Sequence, residues 1–212
     1  MKHIYLISGF AADERVFANL DFGKNEVHLI PWKIPGKQET IDSYAKRMSE
    51  DIVQPHPVLI GLSFGGMMCI EISKLIPVEK IILISSIKTL HEMPLYMRIA
   101  AKFHLNKWIP LRPYSFLEPI ENYNLGAETT EEKALLREYR RNINPQYTTW
   151  AIDRILHWKN KWQPENLVHL HGGNDHIFPI KYIKADHVIP DGGHLMLMNR
   201  AEKVNDILRK LL

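Results

Sequence analysis

The stretch Pro57-Val58-Leu59-Ile60-Gly61-Leu62-Ser63-Phe64-Gly65 decides how this chain is read. Pro57 to Ile60 is a short apolar run of the kind that forms a buried strand. From Phe64 to Ile76 the spacing turns helical, with Phe64, Met68, Ile72, Leu75 and Ile76 on an apolar face, and Pro77 stops the helix. Ser63 falls between the two, on a turn too sharp for ordinary side chains. Glycines two before and two after it remove the Cβ atoms that would collide. A serine so held has its hydroxyl pushed into a cleft, which is where a nucleophile has to be.

An alcohol is a poor nucleophile at neutral pH, so Ser63 needs a base, and the base needs an acid to orient it. Two downstream runs supply them. Asn166-Leu167-Val168-His169-Leu170-His171 leads into Gly172-Gly173-Asn174-Asp175, a glycine-rich turn that carries an aspartate. Ala185-Asp186-His187-Val188-Ile189-Pro190 leads into Asp191-Gly192-Gly193-His194. Each residue has a plainer reading: Ser63 as a helix N-cap, Asp175 as a turn former, His194 as a turn histidine. Asp191 is the nearest rival acid, inside the turn that delivers His194. The order and spacing of the three together favour the chemical reading.

Here the chain resembles the α/β-hydrolase superfamily, whose nucleophile elbow, late aspartate and later histidine follow one another as Ser63, Asp175 and His194 do. The resemblance extends over nearly the whole chain. It implies a mostly parallel sheet of about six strands flanked by helices. It also makes Ser8-Gly9-Phe10, after the opening strand His3 to Ile7, the oxyanion loop, with the backbone N–H groups of Phe10 and Phe64 as donors. Three departures stand out. Ser8 is where the family often has histidine. The opening strand already carries the oxyanion loop, so the family's first two strands lack counterparts. The stretch from Asp175 to His194 leaves little room for the usual helix.

The remaining elements alternate between strand and helix. Glu26 to Ile30 reads as the second strand and Lys80 to Ile84 as the strand after the elbow helix. Ile41, Tyr44, Ala45, Met48 and Ile52 follow helical spacing behind a Thr40 N-cap. Ala201, Val204, Ile207, Leu208 and Leu211 give the last helix its apolar face. Between Lys88 and Asn144 the strand rhythm stops. Pro94 opens a helix with Leu95, Ile99 and Phe103, and Trp108-Ile109-Pro110-Leu111-Arg112-Pro113 reads as a rigid connector. Thr129-Thr130-Glu131-Glu132 is a capping box before Leu135, Leu136 and Tyr139. An inserted helical segment at this point looks like the cap that the family places over its active site; the plainer reading is extra core packing. Residues 88–144 are expected to be that cap over a core made of 1–87 and 145–212, with Leu95, Ile99, Phe103 and Trp108 lining the substrate pocket.

Composition agrees with one soluble domain of 212 residues, and 27 Lys+Arg against 24 Asp+Glu, scattered along the chain, give no reason to expect nucleic acid. Cys69, the single cysteine, is expected in the core. Met1-Lys2 and the apolar run to Ala12 faintly mimic a signal peptide, but Ser8 and Gly9 interrupt it, and a cytoplasmic location is expected. No segment is long enough to span a membrane. Arg98, Lys102 and Lys107 beside Phe103 and Trp108 form too short a basic amphipathic element for stable membrane association. His169, His171 and His176 mimic a ligand cluster, yet no further group with zinc spacing accompanies them, so no metal is expected. The expected activity is a cofactor-free serine hydrolase acting on an ester of a small or medium apolar molecule. Thioester or carbon–carbon bond cleavage, or a binding protein of the same fold, are the alternatives. A serine at the elbow argues against the family's dehalogenases and epoxide hydrolases, which use aspartate. The sequence does not specify an oligomeric state.

Overall fold

The computed structural model describes residues 1–108 and 115–212, with side chains described for all of these except 107, 108 and 115. Six parallel strands form one sheet, β1 (His3–Ile7), β2 (Glu26–Leu29), β3 (Val58–Leu62), β4 (Lys80–Ile84), β5 (Leu167–Gly172) and β6 (His187–Ile189), in the order β2-β1-β3-β4-β5-β6. The helices are α1 (Ile41–Ser49), α2 (Phe64–Ser73), α3 (Leu95–Lys102), α4 (Leu105–Trp108), α5 (Glu118–Leu125), α6 (Thr130–Asn142), α7 (Pro145–Leu156), α8 (Met196–Asn199) and α9 (Ala201–Leu211).

Strand alternation divides the apolar residues between two cores, because successive side chains point to opposite faces. Tyr5, Ile7, Leu59, Ile81 and Leu83 face one way, against Tyr44, Ala45 and Met48 of α1, the body of α2, and Tyr147, Trp150 and Ala151 of α7. Ile4, Leu6, Val58, Ile60, Ile82, Ile84 and Leu170 face the other way, against Val16, Phe17, Met196, Leu197, Val204 and Leu208. Leu136 and Tyr139 of α6 join this second core. So α6, inside the stretch expected to be a cap, packs with the core. The capping box expected at its start is present, with Thr129 and Glu132 each bonded to the other's backbone.

Two expectations for α2 need correction. It ends at Ser73 rather than Ile76, and it is buried all round from Phe64 to Ile72 instead of along one face. A helix between a sheet and a second helix layer has no solvent side, so its sequence carries no stripe. Between β5 and β6 the only helical element is the short 3-10 turn Ile180–Tyr182, as the spacing required. Among the described residues no helix is long and apolar enough to cross a membrane. The expected connector through Pro110 and Pro113 lies largely outside the described residues.

Strand order places the site. From β1 the chain moves outward to β2, then returns to the other side of β1 for β3 and every later strand. The carboxyl ends of β1 and β3 therefore flank the point where the order reverses, and in open α/β sheets a crevice opens there. Ser8-Gly9-Phe10 leaves β1 at that point and Ser63 leaves β3.

Candidate active site

Ser63 has φ 52° and ψ −118°, a left-handed conformation that an L-residue adopts only when its surroundings force it. The surroundings are the two flanking glycines. A Cβ on Gly61 would lie 2.5 Å from the Gly65 carbonyl group, and one on Gly65 would lie 2.2 Å from the Ile7 carbonyl oxygen. Below the turn, the Ser86 hydroxyl donates to the Ser63 carbonyl at 2.7 Å and fixes the backbone from the β4 side.

The structure brings Ser63, His194 and Asp175 together from three separate loops. His194 Nε2 lies 2.9 Å from Ser63 Oγ, and His194 Nδ1 lies 2.8 Å from Asp175 Oδ2. An ionised carboxylate only accepts, so Nδ1 carries the proton and Nε2 is left to accept from the serine hydroxyl. Asp175 Oδ1 accepts from the Ile177 and Phe178 N–H groups, each at 2.8 Å. Burial alone would raise the Asp175 carboxyl. The His194 charge and hydrogen bond, with His171 and the Phe178 N–H, outweigh it and hold the group below the ordinary carboxylate value. All three side chains are nearly enclosed. The rival acid is elsewhere: Asp191 pairs with Arg200 at 2.9 Å and Lys203 at 2.6 Å on the surface.

The Phe10 and Phe64 N–H groups have no acceptor among the described residues, so both remain free to bind an oxyanion. The loop bearing Phe10 is tied down by two groups. Ser8 Oγ donates to the Ala12 carbonyl at 2.7 Å, and Trp32 Nε1 lies 3.0 Å from Ser8 Oγ and 3.1 Å from the Gly9 carbonyl oxygen. The serine that stands in place of a histidine thus shapes the loop from within. Sequence reasoning missed Trp32. Its signal was positional, two residues beyond Ile30, where β2 delivers the chain to the carboxyl edge.

Of the residues expected to line the pocket, Leu95, Ile99 and Phe103 are 54%, 46% and 60% exposed, open to solvent in this structure. α3 is anchored instead through Met97, which packs against the first core, and through the Tyr96 hydroxyl, which donates to the Ile177 carbonyl at 2.5 Å. The Trp108 side chain lies outside the described residues. The apolar surroundings of the elbow come largely from Trp32 and Tyr147, which sequence reasoning did not single out. Trp32 stacks on Phe64 at 5.1 Å, and Tyr147 lies 5.9 Å from Phe10 and 5.4 Å from Trp32.

Comparison with known proteins agrees with this architecture. The family model described as "Alpha/beta hydrolase family" matches residues 29–207, and the chain belongs to that family. No curated protein matches it in sequence. Among solved structures it is similar to an esterase from Exiguobacterium antarcticum (TM-score 0.76, 14% identity, covering 99% of this chain and 91% of that one). It is also similar to a thermophilic esterase from Thermogutta terrifontis (TM-score 0.67, 19% identity, covering 99% and 89%). A Bacillus megaterium epoxide hydrolase matches comparably (TM-score 0.69, 13% identity, covering 100% and 93%). At these identities the likeness is one of fold.

Proposed function

We propose that the protein is a serine hydrolase that cleaves carboxylic esters of small or medium apolar molecules through an acyl-enzyme. The observation that carries this reading is the Ser63–His194–Asp175 relay, with contacts of 2.9 and 2.8 Å, at a strained turn beside two free N–H groups. His194 Nε2 takes the Ser63 proton as Oγ attacks the carbonyl carbon, then gives it to the departing alcohol. Water, activated by the same nitrogen, releases the acid. Asp175 keeps the imidazole in the required tautomer and stabilises the imidazolium. The Phe10 and Phe64 N–H groups would hold the tetrahedral oxyanion, a contribution of about 3 kcal/mol per donor in comparable sites.

Esterases among the structural neighbours support the choice of ester. An apolar substrate is supported by the half-buried rings of Phe10 and Trp32 beside the elbow, Trp32 stacked on the buried Phe64 at 5.1 Å. The cap we assign to residues 88–125, since α6 packs with the core. A fluorophosphonate probe tests the central claim. Wild type should be labelled on Ser63, and Ser63→Ala should lose both labelling and p-nitrophenyl ester turnover, the latter by about a thousandfold or more, with its circular dichroism unchanged. Turnover that survives in Ser63→Ala would show that another group is the nucleophile.

A further inference from the structure

At the end of the sheet opposite Ser63, the pairing of β1 with β2 sets His3 beside Glu26 and Tyr5 beside His28. Residues two apart on a strand share a face, so His3, Glu26 and His28 converge. His3 Nδ1 lies 3.3 Å from His28 Nε2 and 3.2 Å from Glu26 Oε2, and His28 Nε2 lies 3.6 Å from Glu26 Oε1. Bonds of about 2.1 Å around a tetrahedral Zn²⁺ place neighbouring ligand atoms about 3.4 Å apart. The two imidazole nitrogens match that spacing, and the Glu26 carboxylate straddles them, Oε2 against His3 and Oε1 against His28, with the ligand atoms of all three residues within 4.8 Å of one another. The His28 ring is held in place by stacking on Tyr5, with centroids 4.6 Å apart and planes 20° from parallel.

We propose that His3, Glu26 and His28 bind one divalent first-row cation, with Zn²⁺ the best fit. Two imidazoles and one carboxylate suit a borderline ion; Mg²⁺ and Ca²⁺ prefer all-oxygen sets. The side chains are 28%, 48% and 26% exposed, open enough for the ion to enter and for water to complete its coordination. A cation here joins β2, the edge strand, to β1. That makes the site a clip on the fold, remote from the proposed chemistry. Zinc motifs are usually sought as closely spaced ligands in one segment. Here His3 and Glu26 are 23 positions apart, and the parallel ladder brings them together.

Titration calorimetry of the full chain with ZnCl2, in a buffer that does not bind metal, tests this. One site with a Kd in the micromolar range or below is expected. The Tm should rise by about 5–10 °C at free Zn²⁺ about a hundred times Kd. Co²⁺ should give visible bands of tetrahedral intensity. His3→Ala and Glu26→Gln should each weaken binding by about tenfold or more. His28→Phe should do the same while keeping a ring on Tyr5, so that lost binding is not confused with a lost fold. Absence of binding up to millimolar Zn²⁺ would overturn the proposal. So would undiminished binding in His3→Ala and His28→Phe, which would put the ion elsewhere.

Discussion

Asp175 and Asp191 sit in comparable glycine-rich turns, yet their surroundings differ completely. Asp175 is buried, accepts two backbone N–H groups on one oxygen and faces His194 with the other. Asp191 is spent on Arg200 and Lys203 at the surface. Asp175→Asn should therefore lower kcat by about 10³–10⁴-fold, because an amide in its place favours the wrong tautomer of His194. Asp191→Asn should leave kcat within about twofold, since an exposed ion pair holds little. Steady-state kinetics on one p-nitrophenyl ester decides between them, and equal losses would overturn the assignment. The same carboxyl makes the fold sensitive to acid. Its native value lies below the ordinary one, so its stabilising effect is complete above about pH 4 and is lost as pH falls further.

The elements legible in the sequence are those whose signals are local. β1 and β4 were readable from apolar runs, α1 from Thr40 and α6 from its capping box. The elbow was legible because its glycines are a steric requirement within five residues. The rest depends on what lies across the fold. Nothing near Leu136 or Tyr139 says that α6 turns them into the second core, and nothing in α3 says that Leu95, Ile99 and Phe103 stay exposed. Trp32 is the clearest case, since its indole N–H reaches Ser8 and Gly9 across 24 and 23 residues. Trp32→Phe keeps an aromatic ring against Phe64 and removes the indole donor. We expect kcat to fall by about tenfold with KM changed less than twofold, since one loop hydrogen bond is worth about 1–1.5 kcal/mol. A rise in KM with kcat unchanged would mean that Trp32 acts on the substrate only and that its N–H does not hold the loop.

At the scale of the whole molecule, the first core contains polar groups as well as rings. Leu170 faces the second core, while its neighbours His169 and His171 face the first and are fully buried. The two imidazoles touch at 3.3 Å, and His171 Nε2 donates to the Phe178 carbonyl at 2.7 Å, behind the loop that carries Asp175. Burial holds both below the ordinary imidazole value. For His169 the charges of His171 and Lys88 add to the effect, and for His171 the nearby Asp175 only partly offsets it. The native protein therefore resists taking up two protons that the unfolded chain accepts near pH 6.5. With more protons bound to the unfolded state, stability rises with pH across this window and falls as the solution is acidified below it. Each histidine can add a slope of at most about 1.4 kcal/mol per pH unit. Urea midpoints measured between pH 4.5 and 8 should fall steeply below about 6.5 in wild type. The His169→Asn/His171→Asn variant should be flatter over the same range, whatever its absolute stability. Parallel curves for the two proteins would show that the buried pair is not what acid attacks.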